Sequence, residues 1–401
     1  MKRQEKTYGC PVKKIIWRLI LIAAIILRMF LVIYLPRLII NRQAADIYCA
    51  KLFPFLSFVP NSISNMTYFS LTENIIVMGS LFILGLLITG IVRAVILIRK
   101  KGFARFAVSL TDVIVIIMIP VMFFTGVFQV MHGLNYLRTP VAARLQLTGE
   151  EHTYEEYEAA LNWAYQGMIE ARRQLGEDYN GVGHLSTSYQ VCVDDANSLV
   201  NAVSYFYDLD MSPNYVRAKP VMLSRLWGYT DIAGVYDPML GESNLNTDYL
   251  DILHFPVTLC HEIAHAKGYA RENDANTIAV LTCIMSPRPD FKYAGYYYIF
   301  MRLYGTTADY AEHEGVTMYD YFGNPAFDMV RRDMIAYEAY EHTYETGAIA
   351  DFIADFSESA NDTFLEVNGQ EGGTDTYVVP TDIYVDFFCR YINNVESEYN
   401  A

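Results

Sequence analysis

The chain has 401 residues, 53% of them hydrophobic, with 30 Lys+Arg against 45 Asp+Glu and a formal net charge of −15. So acidic a balance, with no basic patch away from the apolar stretches, excludes a nucleic-acid-binding surface. The charge is also divided: residues 1–131 carry 15 Lys+Arg against 4 Asp+Glu, and residues 132–401 carry 15 against 41. A positive membrane part followed by an acidic domain is the simplest reading.

Three apolar stretches lie in the first part, near 15–40, 75–98 and 107–131. Each exceeds the roughly 20 residues that cross a hydrocarbon core of ~30 Å. Arg28 sits near the middle of the first, at a cost of about 2.5–3.5 kcal/mol that its many Leu and Ile neighbours offset. That stretch lacks a clear small-residue cleavage site and runs into Pro36-Arg37, so it reads as an uncleaved anchor. Lys2, Arg3, Lys6, Lys13 and Lys14 precede the first span, and Arg99, Lys100, Lys101 and Arg105 join the second to the third. Both clusters are expected to face the cytoplasm. The result is a multi-pass cell-membrane protein, partnered by the lipid bilayer, with the loop 41–74 and the domain 132–401 extracytoplasmic.

The domain is long enough for one full-sized core. Apolar periodicity predicts helices over Tyr154–Leu175, Asp194–Leu209, Gly295–Leu303, Ala326–Tyr344 and Ala348–Val367. Between them, Val221-Met-Leu and Ile232–Tyr236 read as short strands in a Gly/Pro/Asn-punctuated segment. Next comes His261-Glu-Ile-Ala-His265, on a helix that Pro256 suits at its first turn and Gly268 ends. Two histidines four apart share a helix face and can bind one zinc ion. The intervening Glu262 can take a proton from a water at the metal without becoming a ligand.

A third ligand is needed. On a continuous helix Glu272 would stand about 10 Å along the axis from His265, too far to share one ion. The chain must therefore turn at Gly268, after which Glu272 opens a second helix to about Met285, stopped by Pro287. Glu272 is preferred over Asp274 or a more distant acid, with Asn276 on the same face as a hydrogen-bond partner for a ligand histidine.

Other features carry less. The six cysteines, at 10, 49, 192, 260, 283 and 389, show no metal spacing, and Cys260 reads as a small packed residue. The run Tyr293 to Tyr304 has core spacing, although it can also line a groove. Glu242, Asn244 and Asn246 fit either a second ion site or a turn, and His254 either an oxyanion donor or a structural role.

The segment Glu272-Asn-Asp-Ala-Asn276 is similar to the glutamate helix of gluzincin-type metallopeptidases, although only six residues separate it from His265, fewer than usual there. More broadly, the chain resembles uncharacterised bacterial multi-spanning membrane proteins sharing a domain of unknown function with an HExxH segment. That likeness rests on Gly133-Leu-Asn-Tyr-Leu-Arg-Thr-Pro140, Lys219-Pro-Val-Met-Leu-Ser224, Gly241-Glu-Ser-Asn-Leu-Asn-Thr247, the run from His261 to Asn276, and Phe364-Leu-Glu-Val-Asn-Gly369. It implies a mainly α fold, with three transmembrane helices followed by a mostly helical zincin-like domain with a few short strands. The expected function is a membrane-anchored zinc metallopeptidase acting on peptide or protein substrates. His261, His265 and Glu272 would hold Zn2+, and Glu262 would be the general base. The alternatives are a structural or vestigial zinc site without catalysis, and a zinc amidase acting on cell-wall material.

Overall fold

Three long helices, Pro11–Ile39, Leu71–Lys101 and Phe103–Met131, carry the apolar stretches in a computed structural model that describes residues 11–344 and 347–393. Each contains a segment long and apolar enough to cross a membrane. The first and third run parallel. Arg18 pairs with Asp112 and the Arg28 guanidinium donates to the Met122 carbonyl, both at a separation of 94 residues. The cost of Arg28 in an apolar span is thus offset by a hydrogen bond made inside it. Gly126 makes room, since a Cβ there would lie 2.6 Å from the guanidinium.

The stretch between the first two spans, expected as a loop, is largely helical, with Arg42–Ile47, a π turn at Tyr48–Leu52, and Phe53–Ser64. Pro54 sits in the first turn of the last of these, where its missing N–H costs nothing.

Beyond the spans the protein is mainly helical, as expected. Tyr154–Arg172 opens with a capping box between Thr153 and Glu156 and lies along Pro289–Glu314. Ala160, Ala164 and Gly167 let the two helices approach closely. The helix expected from Gly295 to Leu303 is much longer, because Pro289 starts it and Gly315, at φ +68, ends it. Its tyrosine run is mostly packing: Tyr293 is buried and donates to Asp333 at 2.7 Å, and Asp333 also pairs with the buried Arg172 at 2.6 Å. Tyr189–Phe206 starts earlier than expected, at the Ser188 boundary, whereas Ala348–Val367 matches its expected ends.

A three-stranded sheet has the order β1 (Lys219–Pro220), β3 (Glu242–Leu245), β2 (Gly234–Asp237), with β1 parallel and β2 antiparallel to β3. The strand expected at Val221-Met-Leu is displaced to β1, because the Met222 and Leu223 N–H groups turn aside to donate to the Glu73 carboxylate at 2.8 and 2.7 Å. Glu242 and Asn244 form neither a turn nor an ion site. They are buried in β3, where Glu242 pairs with Lys219 at 2.6 Å and accepts from Ser64 and Ser70.

Candidate metal centre

Phe255–Ala266 is buried along nearly its whole length, with Pro256 in its first turn, so the HExxH residues are held within the core. Lys267 caps it, and Gly268 follows at φ +104, a backbone conformation that L side chains rarely adopt. Arg138 fastens this turn. Its Nη1 donates to the Gly268 carbonyl at 2.8 Å and its guanidinium lies 3.6 Å over the Tyr269 ring. The chain then enters Glu272–Met285 with Glu272 as the first helical residue, and the buried Ala275 and Ala279 allow the two helices to touch.

That turn brings three side chains together. Nε2 of His261 and Nε2 of His265 each lie 3.2 Å from Oε2 of Glu272. The opposite ring nitrogens are already engaged. His265 Nδ1 stands 2.6 Å from the Tyr269 carbonyl, and His261 Nδ1 stands 2.7 Å from Asn276 Oδ1. Asn276 cannot present its amide the other way round, because its Nδ2 donates to the Tyr377 carbonyl at 2.7 Å. Both histidines therefore carry their proton on Nδ1, and in the neutral rings two Nε2 lone pairs face a carboxylate oxygen. Three electron-rich atoms converging in a buried site is an arrangement that a cation satisfies, and nitrogen, nitrogen and oxygen donors suit zinc.

Charge follows the same geometry. Burial disfavours charge on His265, but the Glu272 carboxylate overrides it and holds the imidazole up at about 9, so that when no metal is bound a proton on Nε2 is the cation between ring and carboxylate. Burial would likewise raise the Glu272 carboxyl, yet His265 and His261 hold it well below its ordinary value. Glu262 differs. It is buried beside the group, burial pushes its carboxyl up, and its Oε2 has no hydrogen-bond partner among the described residues. Ser243 of β3 donates to its backbone carbonyl at 2.9 Å. Gly234 of β2 lies against its side chain, where a Cβ would come within 2.7 Å of Cγ.

The family described as "Protein of unknown function (DUF3810)" matches residues 48–383. The chain belongs to this family. Comparison with curated proteins and with solved structures gives no match. The DUF3810 region begins inside the helical linker between the first two spans and includes all three converging residues, Glu262 and the sheet.

Of the remaining candidates, Asp274 points away from the histidines: it accepts from Val141 N at 2.8 Å and from Arg271 Nε at 2.9 Å. His254 pairs with Asp251 at 2.9 Å beside Tyr297 and Tyr337. Cys260 is buried, as are Cys49, Cys192 and Cys283, and the described cysteines are free thiols. A second group, His152, Glu156 and Cys389, could also hold an ion, but both ring nitrogens of His152 already face carboxylates, Glu156 and Asp386.

Sequence reasoning missed His132, Tyr377 and Gln370. His132, the first residue after the third span, sets its ring 6.1 Å from that of His265. Burial, reinforced by His265, pulls it down to about 3. Tyr377 lies 6.2 Å from the His261 ring and nearly parallel to it, and Gln370 accepts from the Glu272 N–H at 3.2 Å. Nothing local marked them, although Gly133–Pro140 adjoins His132 and Phe364–Gly369 adjoins Gln370. Tyr377, Glu262, His261 and Gly234 line a cavity of about 340 Å³. A second cavity, of about 370 Å³, shares with it Asp231, Ile232, Ala233, His254 and Thr258, so a groove runs on from the site past the start of the HExxH helix.

Proposed function

We propose that this protein is a membrane-anchored zinc metallohydrolase that cleaves peptide bonds. The observation that carries the reading is the convergence of His261 Nε2, His265 Nε2 and Glu272 Oε2 within one buried site while both Nδ1 atoms are tied off. Zinc held by these residues would supply Lewis-acid polarisation of a carbonyl and acidify a water molecule.

The chain's own residues supply the rest. Glu262, next to the ligands but outside their hydrogen bonds, takes the proton of the attacking water and returns it to the leaving amine. Burial raises the proton affinity of its carboxylate, which helps it take that proton, and the leaving amine, a stronger base, draws it off again. Asn276 and the Tyr269 carbonyl keep the imidazoles in one tautomer and one orientation. Asp274 is spent on Val141 and Arg271, which favours a three-residue set with an open position over a closed structural shell. β2, an edge strand among the described residues, passes beside Glu262, and the groove extends from there, a shape suited to an extended chain.

The orientation belongs to the same proposal: N-terminus inside, domain outside. It is supported by the basic clusters flanking the spans and by the parallel first and third helices, which leave the linker and the domain on one face. Reporter fusions near residues 102 and 150 should give cytoplasmic and external activity respectively, and the reverse pattern would overturn it. For the chemistry, a peptide library incubated with wild type and Glu262→Gln should show cleavage by the first and about 10²–10⁴-fold less by the second. Equal cleavage by both would remove Glu262 from the mechanism.

A further inference from the structure

The helix Phe53–Ser64 is inside out. Its buried positions, Phe53, Ser57, Asn61 and Ser64, recur at helical spacing and are mostly polar. They bond inward: Ser57 accepts from Asn214 at 3.2 Å, and Ser64 donates to Glu242 at 2.8 Å. The opposite face is apolar and exposed, with Leu52, Phe55, Val59, Ile63 and Met66 in a row, flanked by Phe58. Phe55 is 75% exposed and Met66 81%, values far from those of a side chain that has found a protein partner. A water-facing helix has the opposite polarity.

Its place in the chain says what covers that face. The helix sits between two spans. It follows the first through Arg42–Leu52, and Ser70, just beyond it, caps the second. The exposed row therefore continues the apolar surface of the membrane-spanning segments. A second apolar patch is joined to the first and third spans. In Ala348–Val367, Phe352 and Phe356 are exposed, while Phe364 packs on Phe128 of the third span and the Val367 carbonyl accepts from Arg37 of the first.

We propose that Phe53–Ser64 lies in the membrane interface, its outer face among lipid acyl chains and its polar face bonded to the domain. An amphipathic helix so placed buries its apolar side about 5–10 Å into the headgroup and acyl boundary. The consequence concerns the metal centre. Phe53 packs against Gly268 at the end of the HExxH helix, Asn61 against Gly241, and Ser64 bonds to Glu242 one residue before Ser243, which holds the Glu262 backbone. One helix diameter, about 10 Å, thus separates lipid from the ligand-bearing elements. Resting on the hydrolase reading, this makes the substrates membrane-tethered chains cut close to the bilayer.

Two measurements on the full chain in lipid vesicles test this. Phe55→Cys, Val59→Cys and, as control, Tyr179→Cys, whose site is 96% exposed on the domain, are labelled with a fluorophore after Cys10 and Cys389 are replaced by serine. Lipids brominated on the acyl chain should quench the labels at 55 and 59 severalfold more than the label at 179. Equal quenching at all three sites would overturn the proposal. So would protection at 55 and 59 that disappears on dilution with lipid, because a second copy of the chain would then be the occupant.

In the second measurement, one peptide is anchored in the same vesicles with its scissile bond about five or about 20 residues from the anchor, roughly 17 or 70 Å of extended chain. Cleavage of the short-stalked peptide within about threefold of the long-stalked one is expected. Cleavage of the long-stalked peptide alone would overturn the placement of the site near lipid. If neither peptide is cut while the quenching pattern holds, the hydrolase reading and its substrate class fall and the lipid-facing helix stands.

Discussion

Gly268→Ala isolates the turn on which the metal centre depends. The residue sits at φ +104, and an added Cβ would lie 3.0 Å from two ring atoms of Phe53. Holding an L residue in so sparsely populated a conformation costs about 1–3 kcal/mol. The energy must appear in one of two places. If the turn holds, it is subtracted from stability. If the turn relaxes in the metal-free protein and only the ion restores it, zinc affinity falls by about five- to 150-fold, since 1.4 kcal/mol is a factor of ten. Chelator-competition titration and denaturant unfolding of the detergent-solubilised variant, read together, capture both. Loss in either, summing to about 1–3 kcal/mol, is expected. A variant with wild-type zinc affinity and a wild-type unfolding midpoint would refute the reasoning.

Asn276→Ala should weaken zinc about 10–100-fold, whereas Asn276→Asp, which keeps an acceptor at His261 Nδ1, should retain most of the affinity; similar losses in both would show that the amide does not orient the ring. Lys219→Met leaves the Glu242 charge buried without its counter-charge and should cost about 3–5 kcal/mol, with Lys219→Met/Glu242→Leu recovering part of it, and a double variant less stable than the single would contradict this. Asp290, away from the metal centre, is among the sources of acid sensitivity. Burial would raise its carboxyl, but Arg288 and the Ser186 N–H hold it below its ordinary 3.8. A depressed carboxyl stabilises the fold above its unfolded pKa and loses that contribution as pH falls through the folded value. The stability of Asp290→Asn should therefore fall less steeply below about pH 4 than that of wild type, and parallel acid limbs would count against this.

The sequence was legible where one local pattern decided the outcome. Spans follow from apolar length, and the paired helices at the centre follow from Pro256, HExxH, Gly268 and the acid that opens the second helix. The turn at Gly268 and the hydrogen bond between Asn276 and a ligand histidine were both expected and both appear. What stayed hidden was set by contacts distant in the chain. Glu242 and Asn244 looked like turn or ion residues because their partners, Lys219, Ser64 and Ser70, lie in other segments. The linker 41–74 looked like a loop because its helix has its polar side inward, a pattern that periodicity reads as amphipathic without saying which face meets the protein. His132 carried no signal, being a lone histidine at the end of a span.

Metal analysis of purified wild type beside His261→Ala and Glu262→Gln addresses the central claim most directly. The account predicts one zinc per chain in wild type and in Glu262→Gln, and its loss in His261→Ala, because the histidine holds the ion and the glutamate handles the proton. A wild-type protein that takes up no zinc when it is supplied, or a Glu262→Gln variant that loses zinc as readily as His261→Ala, would contradict it.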